Sequence, residues 1–366
     1  MINYVTVKYH NRVVGILGLD KENRIFFRYD QEWINDGFSI SPFSLPLSNN
    51  DYYPTKNYFN GLHGVFGDSF VDSWGELLIK RYVKQKGIDY DSLSIIEKLS
   101  LIGNSTMGAL TYHPSTKINL IDTNYDLDSL SIEINKLLNN KESNSVDELF
   151  RRGGSSGGSR PKILAKYKNK NVLIKFKSRL DSNNIAEQEY EYMLKARECG
   201  INIPNVYLIY GKENKYYAVE RFDIKDNRTL HIISVAGLLE CDFKSPCLDY
   251  RDLLKLVLIV TRDKNEVLEM YRRMVFNVIF QNLDDHAKNF SFYYDEQDDK
   301  YRLCPAFDLT KGMTYFGEHT TSINGKGKDI SDEDMIKLGI EFGINRSIAK
   351  NIIDLIKDKY KETVNK

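Results

Sequence analysis

The segment that decides the fold is Asn282-Leu283-Asp284-Asp285-His286-Ala287-Lys288-Asn289, which follows a strongly apolar run with helical spacing. Asp284 and Asn289 lie five positions apart, and Asp308 follows at the end of Pro305-Ala306-Phe307-Asp308. One carboxylate can orient and deprotonate a hydroxyl, and an amide with a second carboxylate supplies hard oxygen ligands for Mg²⁺. Asp, Asn and His residues after a helix are commonly only capping and turn residues. These are also the residue types that phosphoryl transfer needs, and the upstream segments help to decide between the two interpretations.

Four segments expected of a nucleotide-binding fold precede this loop. A Gly/Ser loop spans residues 152–162; its glycines let backbone N–H groups approach phosphate oxygens, although the same composition suits a flexible linker. Residues 172–176 predict a buried strand that carries Lys175, and a helix is predicted from 185 to 199. Residues 216–223 predict a strand that runs into a hinge, where backbone groups could hold an adenine edge. The order of these segments supports the phosphoryl-transfer hypothesis.

The motifs resemble those of protein kinases. Asp284 and Asn289 have the spacing of the catalytic loop H-R-D-x-x-x-x-N, and Asp308 is similar in place to the Mg²⁺-binding Asp of D-F-G. More specifically, the chain resembles the HipA-like serine/threonine kinases, toxins of bacterial type II toxin–antitoxin pairs. The segments that carry this resemblance run nearly end to end and are 61–75 (GLHGVFGDSFVDSWG), 103–110 (GNSTMGAL), 155–162 (SSGGSRPK), 282–289 (NLDDHAKN) and 305–308 (PAFD).

The resemblance implies a role for several side chains. Asp284 would be the catalytic base, and Asn289 and Asp308 would bind Mg²⁺. Lys175 would contact the ATP phosphates, and Glu189 is its expected partner on the following helix. His286 is expected to orient the catalytic loop by hydrogen bonding.

The resemblance also implies further contacts with ATP. The backbone of Glu220 and Phe222 would meet the adenine. Other nucleotide contacts are expected from the Gly/Ser loop, the lysine that follows it and the catalytic loop, namely Ser156, Gly157, Gly158, Lys162 and Lys288. Ser155 lies where members of the family phosphorylate themselves, and Ser156 is the adjacent alternative. That modification would eject the loop and switch the kinase off.

The predicted fold is α+β and protein-kinase-like, with two lobes that hold ATP and Mg²⁺ between them. We predict a HipA-type N-terminal subdomain over 1–115, a mixed α/β kinase N-lobe with the Gly/Ser loop over 116–222, and a mainly helical C-lobe over 223–366. Strands are predicted at 4–9, 13–19, 25–29, 106–112 and 163–167, and in a hairpin of 290–294 and 301–304. Helices are predicted at 69–86, 90–101, 125–139, 145–150, 230–239, 250–260, 265–281 and 345–360.

Composition limits the functional classes. The 51 Lys and Arg balance the 51 Asp and Glu, so the chain lacks the basic excess of a protein that grips nucleic acid by itself. Any DNA contact is expected to be indirect, through a helix-turn-helix antitoxin. No apolar run has membrane-spanning length, so a soluble, cytoplasmic protein without membrane association is expected. The four cysteines form no C-x-x-C pair, which favours reduced thiols, and the six histidines show no zinc-ligand spacing.

The expected reaction transfers the ATP γ-phosphate to a serine or threonine of a host protein. By resemblance the target is an aminoacyl-tRNA synthetase, with glutamyl-tRNA synthetase first, so that translation and growth would stop. An alternative is a binding module that joins a helix-turn-helix antitoxin as co-repressor, with little catalysis. A less favoured alternative is a metal-dependent hydrolase built on Asp284, Asp285, His286 and Asp308, which would not need the Gly/Ser loop or a strand lysine.

Overall fold

The computed structural model describes residues 2–103, 107–115, 126–153, 158–312, 314 and 316–364. The chain forms two compact units. The first consists of Met1–Glu187, Tyr207–Ile233 and Gly237–Glu240, and the second of Gln188–Val206, Ser234–Ala236 and Cys241–Lys366. The first unit thus contains the predicted N-terminal subdomain together with much of the predicted N-lobe, and the threefold division stays a prediction.

An antiparallel sheet opens the first unit. Its strands are β1 (Tyr4–Tyr9), β2 (Arg12–Leu19), β3 (Ile25–Tyr29) and β4 (Leu110–His113), in the spatial order β3-β2-β1-β4. Side chains alternate between the two faces of a strand, and Val5 and Val7 of β1 both lie on the buried face. The strands predicted at 4–9, 13–19 and 25–29 are confirmed, whereas β4 starts later than the predicted 106.

The first unit also contains several helices. They are α1 (Gln31–Asp36), α2 (Gly64–Asp68), α3 (Ser73–Gln85), α4 (Ile95–Ile102), α5 (Leu127–Leu138) and α6 (Val146–Gly153). The helix predicted from residue 69 therefore starts later, at Ser73. The helix predicted from residue 90 also starts later, because Ser94 and Glu97 form a capping box in which each side chain accepts the other's backbone N–H, at 3.2 and 2.9 Å.

A second antiparallel sheet carries the predicted nucleotide-binding strands. Its strands are β5 (Lys162–Tyr167), β6 (Lys170–Lys175), β7 (Val206–Tyr210) and β8 (Lys215–Glu220), in the order β5-β6-β8-β7. Ile174 lies opposite Ile163 on one side and opposite Ala218 on the other, and all three are fully buried on one face. Because side chains alternate, Lys162 and Lys175 lie together on the opposite face.

The segment after this sheet corrects one prediction. It contains the hairpin β9 (Ile224–Lys225) and β10 (Arg228–Thr229), then β11 (Ile232–Ser234) and α8 (Val235–Leu239), whereas α7 (Ile185–Glu198) lies earlier in the chain, between β6 and β7. The helix predicted over 230–239 is wrong in its first half, where β-branched isoleucines favour a strand. The preceding His231 also holds the backbone there, because its Nε2 bonds to the carbonyl of Ile40 at 2.8 Å.

The second unit is mainly helical. Its further elements are β12 (Leu248–Asp249), α9 (Tyr250–Thr261), α10 (Lys264–Phe280), β13 (Ser291–Asp295), β14 (Lys300–Leu303), β15 (Thr321–Ser322), α11 (Asp332–Glu341) and α12 (Arg346–Val364). The helices predicted at 250–260, 265–281 and 345–360 are confirmed, and so is the hairpin, in which Phe292 lies opposite Leu303. Short strands β12 and β15 pair in parallel, with Leu248 opposite Thr321. None of the described helices is both long enough and apolar enough to cross a bilayer.

Candidate active site

The catalytic loop, residues 282–289, leaves the end of α10 through a left-handed turn. Gln281 has φ 59° and its backbone N–H bonds to the carbonyl of Asn277. Asn282 is only 2% exposed, and its backbone N–H donates to the same carbonyl at 2.9 Å. Its side-chain amide also donates to Oδ1 of Asn277 at 3.1 Å. The first residue of the loop is therefore fixed to the last turn of the helix.

Asp285 is the buried anchor of the loop. Its carboxylate is 1% exposed and accepts hydrogen bonds from the Tyr250 hydroxyl at 2.8 Å, from Nδ1 of His319 at 3.0 Å and from the backbone N–H of Thr321 at 3.0 Å. The Thr321 hydroxyl donates to the main-chain carbonyl of Asp285. A carboxylate is stable in such a dry position only when donors surround it, so these contacts fix the loop from three sides.

A hydrogen-bonded chain extends from Asp285 into the helices. The side-chain amide of Asn277 in α10 donates at 2.8 Å to the hydroxyl of Tyr250 in α9, and that hydroxyl in turn donates to Asp285. Burial, reinforced by the Asp285 charge, raises the pKa of Tyr250 well above its usual value, so the hydroxyl keeps its proton. Sequence reasoning missed both positioning residues, because Tyr250 lies far from the motif in the chain and Asn277, although close to it, falls inside the predicted helix 265–281.

Asp284 and Asn289 are brought together as the spacing predicted. The side-chain amide of Asn289 donates to the main-chain carbonyl of Asp284 at 2.8 Å, and its backbone N–H donates to the carbonyl of His286 at 2.9 Å. The side chain of Asp284 is 59% exposed. With its donor engaged inside the loop, the amide of Asn289 has its oxygen left to act as a ligand, next to a carboxylate open to solvent.

The segment after Asp308 packs directly on the catalytic loop at Gly312. A Cβ on Gly312 would lie 2.9 Å from the backbone nitrogen of Asp284 and 3.1 Å from its Cβ, closer than such contacts normally come. The N–H of Gly312 also reaches the carbonyl of Gln281 at 3.3 Å, and Thr320 donates its backbone N–H and its hydroxyl to the carbonyl of Leu283, each at 3.0 Å. Only a glycine allows this approach, a requirement that the sequence motif does not reveal.

Asp308 has a strained backbone. It adopts φ 55°, in the left-handed region that non-glycine residues seldom occupy, and it is exposed. Such a conformation costs on the order of 1 kcal/mol, and Asp and Asn adopt it more readily than most residues. Upstream, the N–H of Ala306 bonds to the carbonyl of Asn202 at 2.8 Å, which fixes the approach to Asp308.

Two further loop residues contact Phe243. Nζ of Lys288 lies 4.5 Å from the centroid of the Phe243 ring, and the His286 ring centroid lies 6.0 Å from it. His286 also accepts the backbone N–H of Lys288 at 3.2 Å and lies 3.9 Å from the carboxylate of Asp284. His286 thus stabilises the turn of the loop, as the sequence predicted.

In the first unit, Lys162 and Lys175 are cross-strand neighbours on the predicted nucleotide face. Lys162 is 5% exposed, and its carbonyl accepts the indole N–H of Trp74 at 3.0 Å. Nζ of Lys175 lies 5.5 Å from the ring centroid of Tyr217, its partner on β8. Two ammonium groups on one face of a sheet are chemically suited to phosphate, and their contact with ATP stays a prediction.

The end of the Gly/Ser loop approaches this surface. Gly158 adopts φ 96°, its N–H donates to the carboxylate of Asp72, and a Cβ there would lie 2.5 Å from Nζ of Lys162. Glycine is therefore required at this position. Ser155, Ser156 and Gly157, for which nucleotide contacts or autophosphorylation are predicted, lie outside the described residues.

Three further residues are predicted to pair with Lys175 or to hold adenine, namely Glu189, Glu220 and Phe222. Glu189 is 3% exposed and belongs to the second unit, and its pairing with Lys175 stays a prediction. The neighbouring Glu187 pairs with Lys215 at 2.9 Å. The side chain of Glu220 accepts from the Tyr207 hydroxyl at 3.4 Å. Phe222 lies in the turn after β8, and its adenine contact also stays a prediction.

The oxygen donors of the second unit are chemically suited to Mg²⁺. Among the described side chains, no group of three or more His, Cys, Asp or Glu is arranged to bind a metal ion. Asn289 carries an amide oxygen and Asp308 a carboxylate, and such hard oxygen atoms are the ligands that Mg²⁺ takes alongside water and phosphate, so their binding of Mg²⁺ stays a prediction.

Two family models match most of the chain. The HipA N-terminal domain matches residues 5–113, and the HipA-like C-terminal domain matches residues 154–364. Among curated proteins, the serine/threonine-protein kinase toxin HipA of Shewanella oneidensis is 24% identical over 327 residues, which are 77% of this chain and 69% of that protein. A candidate kinase of Sinorhizobium fredii, Y4dM, is 29% identical over 157 residues, and the match spans 39% of this chain and 38% of that relative.

A solved structure shows the same architecture. In the complex of HipA, HipB and operator DNA from Shewanella oneidensis, the matched chain aligns with a TM-score of 0.71 at 16% identity, covering 99% of this chain and 90% of that one. This similarity confirms the predicted α+β, kinase-like fold.

Proposed function

The chain belongs to the family of HipA-like proteins, and we propose that it is a protein serine/threonine kinase that transfers the γ-phosphate of ATP. The observation that carries the proposal is the hydrogen bond that joins Asn289 to the carbonyl of Asp284, in a loop anchored by buried Asp285. The bond supports the proposal because it holds the side-chain amide of Asn289 next to the residue that carries the solvent-exposed carboxylate of Asp284, as expected for a metal ligand and a base in phosphoryl transfer.

Asp284 acts on the protein substrate. Its carboxylate accepts a hydrogen bond from the serine or threonine hydroxyl and takes the proton as the oxygen attacks the γ-phosphorus and the bond to ADP breaks. Asn289 and Asp308 would hold Mg²⁺, which, when bound, neutralises phosphate charge. Gly312 and Asp285 keep the backbone of Asp284 in place, so the chain's own contribution is mainly pre-organisation.

The first unit is proposed to bind the nucleotide. Lys162 and Lys175 share one face of the second sheet, and we assign both ammonium groups to the ATP phosphates. Gly158 comes close to Nζ of Lys162, which supports a role for the Gly/Ser loop in covering these phosphates. Ser156, Gly157 and Lys288 are proposed to add phosphate contacts, and the backbone of Glu220 and Phe222 to hold adenine.

Family membership supports a proposal for the cellular role. We propose that the phosphorylated target is an aminoacyl-tRNA synthetase, glutamyl-tRNA synthetase first, so that translation and growth are inhibited. The chain would be a toxin, bound by a helix-turn-helix antitoxin that carries it to operator DNA. Autophosphorylation at Ser155 or Ser156 would limit its activity.

The test compares wild type with Asp284→Asn and with Asp354→Asn. Both substitutions turn an exposed carboxylate into an amide, but Asp354 lies on α12, outside the proposed site. Each purified protein is incubated with labelled ATP, Mg²⁺ and a host lysate, and labelled proteins are identified by mass spectrometry. Wild type and Asp354→Asn should label one host protein, and Asp284→Asn should not. Equal labelling by folded Asp284→Asn would refute the assignment, and no labelling by any variant would favour a binding module.

A further inference from the structure

Two cysteines meet at the base of a loop beside the proposed catalytic loop. Sγ of Cys247 lies 2.9 Å from Sγ of Cys241, and neither sulfur is in a disulfide. A disulfide bond is about 2.05 Å long, so bond formation needs the sulfurs to approach by less than about 1 Å. Cys247 is exposed and Cys241 is half-buried, so a small reagent can reach the pair. The other two cysteines, Cys199 and Cys304, are fully buried.

The loop between these cysteines, residues 241–247, connects to the catalytic loop at two places. At its tip, Phe243 holds its ring 4.5 Å from the ammonium of Lys288. At its base, Cys247 precedes Leu248, which pairs with Thr321, and Thr321 donates to Asp285. A covalent link across the base of the loop would therefore restrain the segment that carries Phe243.

We propose that Cys241 and Cys247 are a thiol–disulfide exchange site whose oxidised form clamps Phe243 onto Lys288. The exchange partner is a low-molecular-weight disulfide. The thiolate of Cys247 attacks one of its sulfurs, forming a mixed disulfide and expelling one thiolate; the thiolate of Cys241 then attacks the Cys247 sulfur and expels the second. The protein loses two electrons and two protons, and the reagent gains them as two thiols.

The turn inside the loop favours disulfide formation between Cys241 and Cys247 over competing reactions. The carboxylate of Asp242 accepts the backbone N–H of Lys244 at 3.1 Å, and its carbonyl accepts that of Ser245 at 3.3 Å. The chain thus reverses within the loop and already holds the two sulfurs together, so the second attack is intramolecular and effectively concentrated.

The chemical test uses the full-length protein and glutathione disulfide. After incubation, open thiols are alkylated in denaturant and peptides are mapped by mass spectrometry. Wild type should give a Cys241–Cys247 link, with Cys199 and Cys304 alkylated. Cys241→Ser should stop at a mixed disulfide on Cys247, which shows that the first step is intact. If wild type also stops at mixed disulfides, or stays reduced where Cys241→Ser reacts, the exchange site is refuted.

The regulatory part of the proposal, the clamp of Phe243 on Lys288, rests on the proposed kinase function. It is tested by turnover rates, which are measured separately from disulfide formation. A cation–π contact that is held in place competes with phosphate for Lys288, so oxidised wild type should turn over at least about twofold more slowly than reduced wild type. Dithiothreitol should restore the rate, and Cys247→Ser should respond to neither reagent. Equal rates for the two wild-type forms would refute the clamp. If both forms are inactive while the link forms, the kinase proposal fails and the exchange site stands.

Discussion

The hydroxyl of Tyr250, the first residue of α9, donates a 2.8 Å hydrogen bond to the buried carboxylate of Asp285 in the catalytic loop. The same oxygen accepts the side-chain amide of Asn277 from α10 at 2.8 Å. One phenol therefore links two helices to the loop that presents Asp284. The position of the proposed base depends on this contact, although Tyr250 itself lies outside the motif.

Tyr250→Phe should weaken both the fold and the proposed reaction. Removal of the donor leaves a buried carboxylate short of one hydrogen bond, which costs about 2 kcal/mol of the free energy of unfolding. With the loop less firmly held, kcat should fall roughly tenfold, equivalent to about 1.4 kcal/mol. Urea unfolding and steady-state kinetics measure the two effects. Tyr4→Phe is the control, because Tyr4 is 60% exposed; if both variants unfold like wild type, the anchor has no energetic role.

Gly312→Ala should impair catalysis more than stability. The added methyl group would lie 2.9 Å from the nitrogen of Asp284, and the loop must shift to accept it. A displacement near 1 Å can lower kcat by about 10- to about 100-fold. Gly327→Ala is a matched control in the same unit, because its methyl group would meet mainly the exposed Glu318 side chain at 3.2 Å. Unchanged kcat in folded Gly312→Ala would mean that the loop tolerates the shift.

The local part of the fold could be predicted from sequence. Strand alternation identifies β1 to β3, and helical apolar spacing identifies α9, α10 and α12, because those patterns are set by which residues meet water. Boundaries were less accurate: α4 begins at Ile95 because a capping box forms at Ser94, and the extended segment at Ile232 replaces a predicted helix. Helix α11 has no counterpart in the prediction, although Ser331 caps it with Asp334.

The candidate site could be predicted only where its residues are close in sequence. Asp284 and Asn289 share one loop, so their spacing alone predicts their contact. Tyr250, His319 and Thr321 come from distant segments and meet Asp285 only through tertiary packing, which no local pattern encodes.

His231 should make the stability depend on pH. Burial lowers the pKa of His231 to about 4, from an ordinary 6.5. The unfolded state therefore binds the proton first as the pH falls, so the contribution of neutral His231 is fully present above about 6.5 and is lost toward about 4. Between pH 7 and pH 5 the free energy of unfolding should therefore fall by about 2 kcal/mol through this group. His231→Gln, which keeps a donor for the Ile40 carbonyl, should lose less over that interval. Parallel urea curves at both pH values decide this; an identical loss in the two proteins would contradict it.

Autophosphorylation should inhibit the enzyme. A phosphate on Ser155 or Ser156 carries nearly two negative charges in a loop that we propose to cover the ATP phosphates, and the repulsion should weaken ATP binding roughly tenfold. Intact-mass and peptide mass spectrometry should find phosphate on one of these serines after incubation with ATP and Mg²⁺. Asp284→Asn is the inactive control, and the double alanine variant should stay unlabelled within residues 152–162. An unmodified loop in active protein would exclude self-inhibition and leave the kinase proposal in place.

Substitutions at Asp308 can distinguish the role of its carboxylate from that of its left-handed backbone conformation. Because Asn tolerates the left-handed conformation, Asp308→Asn should keep stability within about 0.5 kcal/mol while phosphoryl transfer falls at least about 100-fold. Asp308→Gly should be equally inactive but about 1 kcal/mol more stable than Asp308→Asn, since both lack the carboxylate and glycine adopts φ 55° without strain. Asp329, also exposed and at φ 53°, gives the control: Asp329→Gly should gain similar stability and keep full activity. Urea unfolding and initial rates with labelled ATP measure both quantities. If Asp308→Asn retains activity, the carboxylate is not a metal ligand, and the strain at this position serves the backbone path alone.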